Sequence, residues 1–191
     1  MQSLQTSFDE LRQRLRQGRR LSNTGDDPVY YVIFHPSDML EAKKCIKSWK
    51  AKLKLEGWTL QEFSMADAVQ GILSAHPLRN IWMEQEAADP MAWEDVNKTF
   101  SDVLTAKDAL KRKLDEKLQS MAGAKQTALF ITDLEALHPY LRVGSLEQEL
   151  QGRFTVPTVV MYPGIRSGKS TLRFLGIYPE DGNYRSEHIG G

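Results

Sequence analysis

Cysteine is nearly absent. Cys45 is the only one in 191 residues, which excludes an intrachain disulfide framework and a multi-cysteine zinc site. No apolar run approaches the roughly 18 residues that a membrane-spanning helix needs, so none is expected. The opening, MQSLQTSFDELRQRLRQGRR, has no apolar leader core, and Asp9 and Glu10 argue against a transit peptide. Neither sign of charge dominates. Lys and Arg number 25 and so do Asp and Glu, so no global field recruits nucleic acid or an anionic membrane. The four histidines (His35, His76, His138, His188) are far apart, and none lies in a ligand pair such as H-E-x-x-H. No G-x-S-x-G elbow, internal repeat or low-complexity tract occurs. A cytoplasmic chain without metal or cofactor is the expectation.

What is present is an alternation of short apolar runs with longer amphipathic ones. Leu4, Phe8, Leu11 and Leu15 share one helical face, so residues 1–20 are expected to form a short N-terminal helix and the polar 21–28 a connecting loop. VYYVIF (29–34) is continuously apolar and β-rich, as a strand buried on both faces requires. Ser37 and Asp38 offer caps for a lysine-rich helix over 39–57, whose lysines are expected to be a solvated face. Strands are expected at 58–63, 127–132, 158–162 and 171–178, with a helix opening at Ser64. One long helix is expected over 91–121, and a helical connection broken by Pro139 and Gly144 over 134–152. The whole reads as a single α/β domain, with a mainly parallel sheet, flanking helices and a C-terminal antiparallel hairpin. It resembles a degenerate nucleotide-hydrolase core without a functional phosphate loop.

The stretch Gly168-Lys169-Ser170-Thr171 looks like part of such a loop. The full pattern G-x-x-x-x-G-K-[ST] needs a first glycine at position 163, where Pro163 stands and brings no N–H. The following TLRFLGIY is β-branched, aromatic and apolar, and predicts a strand where the phosphate site needs a helix N-terminus. A hairpin loop is the preferred reading. Asp133 closes an apolar strand, where nucleotide hydrolases hold magnesium, but after VYYVIF the chain reads HPSDML, with neither glycine nor lysine. Asp133 is therefore expected to cap the next helix. A nucleotide-binding protein using Lys169 and Asp133 stays as the alternative.

Tyr162, Arg166, Arg173, Tyr178, Tyr184 and Arg185 concentrate aromatics and arginines near one end of the chain, as interface hot spots do. Stacking on single-stranded nucleic acid is a weaker reading, and direct nucleic-acid binding is not expected. Pairing of Arg173 and Arg185 with Glu180, Asp181 and Glu187 inside the domain accounts for the arginines equally well. Cys45 is expected to pack rather than react. Gly190-Gly191 is expected to be a flexible end.

The motif YPGIRSGKSTLRFLG (162–176), with DGNYRS (181–186) and the opening VYYVIFHPSD (29–38), resembles the BrxB family of BREX bacteriophage-exclusion systems. At motif level this covers about a quarter of the chain. The resemblance implies a small bacterial cytoplasmic protein required for phage defence, in systems that mark host DNA by adenine methylation and block phage replication. It implies a non-enzymatic accessory component whose most plausible partner is the alkaline-phosphatase-like PglZ protein. Through the family, Lys169 is a loop residue between two strands.

Overall fold

In a computed structural model, residues 3–17, 27–141, 143–168, 171–180 and 186–191 are described. The elements in chain order are α1 (Leu4–Gln17), β1 (Val29–Phe34), α2 (Met39–Leu55), β2 (Thr59–Ser64), α3 (Met65–Ser74), α4 (Arg79–Ala88), α5 (Trp93–Thr105), α6 (Ala109–Gln119), β3 (Thr127–Thr132), α7 (Val143–Glu149), β4 (Thr158–Arg166), β5 (Leu172–Phe174) and β6 (Glu187–Gly190). Short 3-10 turns precede α2 and follow β3.

β1 sits inside the sheet, parallel to β4 on one side and to β6 on the other, and all six of its residues are buried. The strand order is β2-β3-β4-β1-β6, with β5 paired antiparallel to the far end of β4. β1 hands the chain across β4 and β3 to β2 through α2, on one face of the sheet. The steps from β2 to β3 and from β3 to β4 run the other way, and their helices lie on the other face. Right-handed crossovers require that division.

Alternation along β1 feeds two cores. Tyr31 and Ile33 pack with α3, α5 and α6, while Tyr30, Val32 and Phe34 pack with α1 and α2. The stripe expected for α1 is what it buries: Phe8, Leu11 and Leu15. The Phe8 ring stacks on Trp49 of α2 at 4.7 Å between centroids. Glu56, just past α2, takes Arg12 at 2.8 Å and Arg16 at 3.1 Å, tying α1 to the end of α2.

Four sequence expectations are corrected. The helix expected over 91–121 is two helices and begins later, because Lys107 and Asp108 adopt left-handed backbone (φ 51° and 55°) and reverse the chain. The reversal turns Leu104, Leu110, Leu114 and Leu118 onto one core. The last strand of the hairpin is only Leu172–Phe174, since Leu175 (φ 54°) and Gly176 (φ 70°) turn the chain away. Gly144 does not break its helix but lies inside α7. Finally, Gly190 is no flexible end. It closes β6 at φ 78°, and a Cβ there would stand 2.7 Å from the Ile33 carbonyl and from the Ser7 hydroxyl. No alternating apolar run announces β6. Its one apolar residue, Ile189, is fully covered beneath α1.

The Phe8–Trp49 stack joins α1 to α2. Phe8→Ala is expected to cost about 3–5 kcal/mol, read by urea denaturation followed by far-UV circular dichroism. A loss under about 1 kcal/mol would show that α1 is dispensable to the fold.

Candidate functional site at the carboxyl edge of the sheet

β1 and β4 are neighbours whose onward connections leave in opposite directions. Outside the carboxyl ends of such strands lies the crevice where open α/β sheets place ligands. Asp133 stands one strand away at the same edge, directly after β3. Its backbone is left-handed (φ 58°) and its side chain makes no capping hydrogen bond, which corrects the expectation of a helix cap. The carboxylate is instead engaged from three directions. Lys43 Nζ lies 2.8 Å from Oδ1, the Ser64 hydroxyl donates to Oδ2 at 2.7 Å, and the Thr132 hydroxyl lies 3.0 Å from Oδ2. Lys43 also pairs with Glu135. Burial disfavours the charged Asp133, but the bonds from Lys43, Ser64 and Thr132 outweigh it and hold the carboxyl below its ordinary range. Lys43 is shifted upward in turn: burial opposes its charge, and Asp133 and Glu135 overcome that.

Sequence reasoning missed Lys43, reading it as one lysine of a solvated face. Nothing local distinguishes it from Lys44 or Lys47. Only the crossover that lays α2 across the sheet brings it to the end of β3. Ser64 was foreseen as the cap of α3, and it does accept the Asp67 N–H at 3.2 Å, but its proton goes to Asp133. His35 and His76 do loop work, each accepting a backbone N–H two residues on. Among the described residues no cluster of three or more His, Cys, Asp or Glu could hold a metal ion. No helix among them is long and apolar enough to cross a membrane.

The β4–β5 hairpin rises from the same edge. Pairing of β4 with β1 ends at Pro163, and Gly164, Ile165 and Arg166 pair onward with Phe174, Arg173 and Leu172. Four residues of the motif have a packing reason. A Cβ on Gly164 would stand 2.6 Å from the Arg173 carbonyl and 2.4 Å from the Tyr162 ring, so only glycine lets the strands approach. Leu172 and Phe174 turn into the core, and Gly176 supplies the left-handed turn against Ile165. Tyr31, Tyr162, Phe174, Tyr178 and His138 form a continuous row of ring contacts, with centroids 5.3–5.8 Å apart. β5 stands where a phosphate site would need a helix.

A family model described as BREX protein BrxB matches residues 61–189. The chain belongs to the BrxB family. The match takes in the hairpin and β6 but starts inside β2, so it leaves VYYVIFHPSD (29–38) outside. No curated protein matches the chain. No solved structure does either. Membership makes the protein a component of a BREX phage-defence system, associated with other BREX proteins.

The six candidate contact residues separate once placed in this BrxB-family fold. Tyr162 is fully buried in the aromatic row, which corrects its assignment to a contact surface: as an inward-facing strand residue it supports the hairpin from below. Arg166, Arg173 and Tyr178 are half-buried on the hairpin and the turn after it. Arg166 Nε donates to the Gly168 carbonyl at 2.9 Å, and its charge, after burial, helps hold the His188 imidazole down at about 4. Tyr178 bonds His138. Glu187 pairs with Arg14 at 3.2 Å, across to α1, rather than with Arg173. Tyr184 and Arg185, like Lys169, lie outside the described residues.

Lys43→Met leaves Asp133 partly buried without its cation. A carboxyl depressed below 3.8 contributes stability above that pH, lost as pH falls through its folded-state value. The variant should therefore lose on the order of 1 kcal/mol at pH 7, kept small by the exposure of Lys43. The gap from wild type should close below the folded-state pKa of Asp133, and that pKa, read by carboxyl NMR, should rise. An equal deficit at pH 7 and in strong acid would disconnect Lys43 from Asp133.

Proposed function

We propose that this chain is a non-enzymatic docking subunit of the BREX assembly and that PglZ is its direct partner. The observation that carries the reading is the state of Asp133. It stands at the carboxyl edge where open α/β sheets place ligands, and both its oxygens are already engaged by Lys43, Ser64 and Thr132. Recruiting it would strip those partners from a half-buried charge, which costs free energy before any chemistry begins. Around it the chain builds contact surface. Ile177 is 70 % exposed and Ile165 37 %, and Arg166, Arg173 and Tyr178 stand beside them. Apolar anchors amid arginine and tyrosine are the composition of interface hot spots.

A nucleotide reading retains one observation in its favour: Asp133 stands at the end of a parallel strand one position from the switch point. It would enlist Lys169 from the hairpin loop.

The docking reading is tested by co-expressing the tagged chain with PglZ, the methyltransferase and the ATPase component of its system. PglZ should be retained at low salt. Replacing Ile165 and Ile177 together by Asp should cut that retention at least tenfold, about 1.4 kcal/mol, without loss of helical signal. Retention of no component contradicts the docking role. Retention of another component alone contradicts the choice of PglZ.

A further inference from the structure

Nine large hydrophobic side chains are exposed among the described residues. Five of them fall between 78 and 93: Leu78, Ile81, Met83, Met91 and Trp93. Met91 is 81 % exposed and Trp93 59 %. They sit on or beside α4 and the start of α5, and α4 buries no residue fully. A helix of ten residues is marginal in water unless packing holds it. Its hold is Trp82, whose indole stacks on His76 at 4.4 Å and meets Phe100 at 5.8 Å. One side of this helix pair is thus fixed to the domain and the other is left uncovered.

Between the two helices the surface is not featureless. A groove of about 430 Å³ runs between α4 and α5, with Trp82, Val96 and Phe100 at its base and Glu86, Asp89 and Asp95 along it. Residues 80–97 contain five acids and no base. That is anomalous in a chain whose charges balance overall. None of these acids is ion-paired among the described residues, and Glu86, Asp89 and Asp95 put charge of one sign along an apolar trough. Such crowding destabilises the isolated helix pair and favours a partner of opposite charge.

We propose that the α4–α5 groove receives a basic amphipathic helix of a partner protein. Its apolar side chains would lie on Trp82, Val96 and Phe100, and its lysines or arginines would face Glu86, Asp89 and Asp95. Helix-in-groove recognition needs an apolar trough, a charged rim and adaptable side chains. Met83 and Met91, exposed sequence neighbours of the lining residues Trp82 and Ala92, offer the last of these beside the groove, since unbranched thioethers repack around different shapes. No residue of the β4–β5 hairpin enters this proposal, so it stands or falls apart from the docking surface described above.

The test is fluorescence anisotropy on the full chain with labelled 18-residue peptides. One peptide places leucines on one helical face and lysines on the other. A second carries glutamate for lysine, and a third carries alanine for leucine. The leucine–lysine peptide should bind saturably and weaken as salt rises. The other two should bind at least tenfold more weakly. E86K combined with D95K, both exposed positions, should lose at least tenfold toward the lysine peptide and gain affinity for the glutamate one. The Ile165→Asp and Ile177→Asp changes should leave both affinities unaltered. Absence of saturable binding, affinity indifferent to the E86K/D95K reversal, or equal binding of the alanine peptide each overturns the proposal. So does light scattering that finds a wild-type dimer converted to monomer by the reversal, which would make a second copy the occupant.

Discussion

The structure depends on a strand with no outward face. Val29–Phe34 is held in parallel register by β4 and β6, and its side chains alternate into two separate cores. A slip of one residue would exchange Tyr31 and Ile33 for Tyr30, Val32 and Phe34, so the register is fixed from both sides at once. That constraint places everything else. α1 and α2 must cover one face, α3 to α7 the other, and the switch point falls where β1 and β4 end. The family match begins at residue 61, yet the sheet built by the matched residues closes only around β1.

Two features that look like chemistry also have an architectural account. The glycine-rich motif is spaced by the needs of a hairpin: Gly164 for close approach, Leu172 and Phe174 for the core, Gly176 for a left-handed turn. The acid at the end of β3 is bound by its own fold. Lys43 comes from the helix after β1, Ser64 from the end of β2 and Thr132 from β3 itself, so three consecutive strand–helix units are tied at one carboxylate. Exposed apolar side chains include Ile165 and Ile177 at the hairpin edge and five on or beside α4, next to the acid-lined groove between α4 and α5.

Much of the sheet was legible because buried parallel strands are written as unbroken apolar runs. VYYVIF, TALFIT and TVVMY declare themselves, and their alternation with amphipathic stretches gives the layers. Capping at Ser64 was legible from side-chain chemistry. What escaped was set by tertiary contact. β6 is four residues with one apolar side chain, recognisable only against β1 and α1. The break at Lys107 and Asp108 carries no proline or glycine. Lys43 resembles its lysine neighbours until a long crossover brings it to Asp133. Tyr162 reads as a hot-spot residue by type, but it lies on a strand covered on both faces. The hairpin contact residues were legible as a composition, not as a surface.

The central claim is that this strand-end crevice is occupied by the protein's own side chains and that the chain works by contact. Isothermal titration calorimetry with ATP and magnesium addresses it most directly, run on wild type, Lys169→Ala and Lys43→Met. No saturable heat is predicted for any of the three. Saturable binding by wild type that Lys169→Ala or Lys43→Met abolishes would contradict the account.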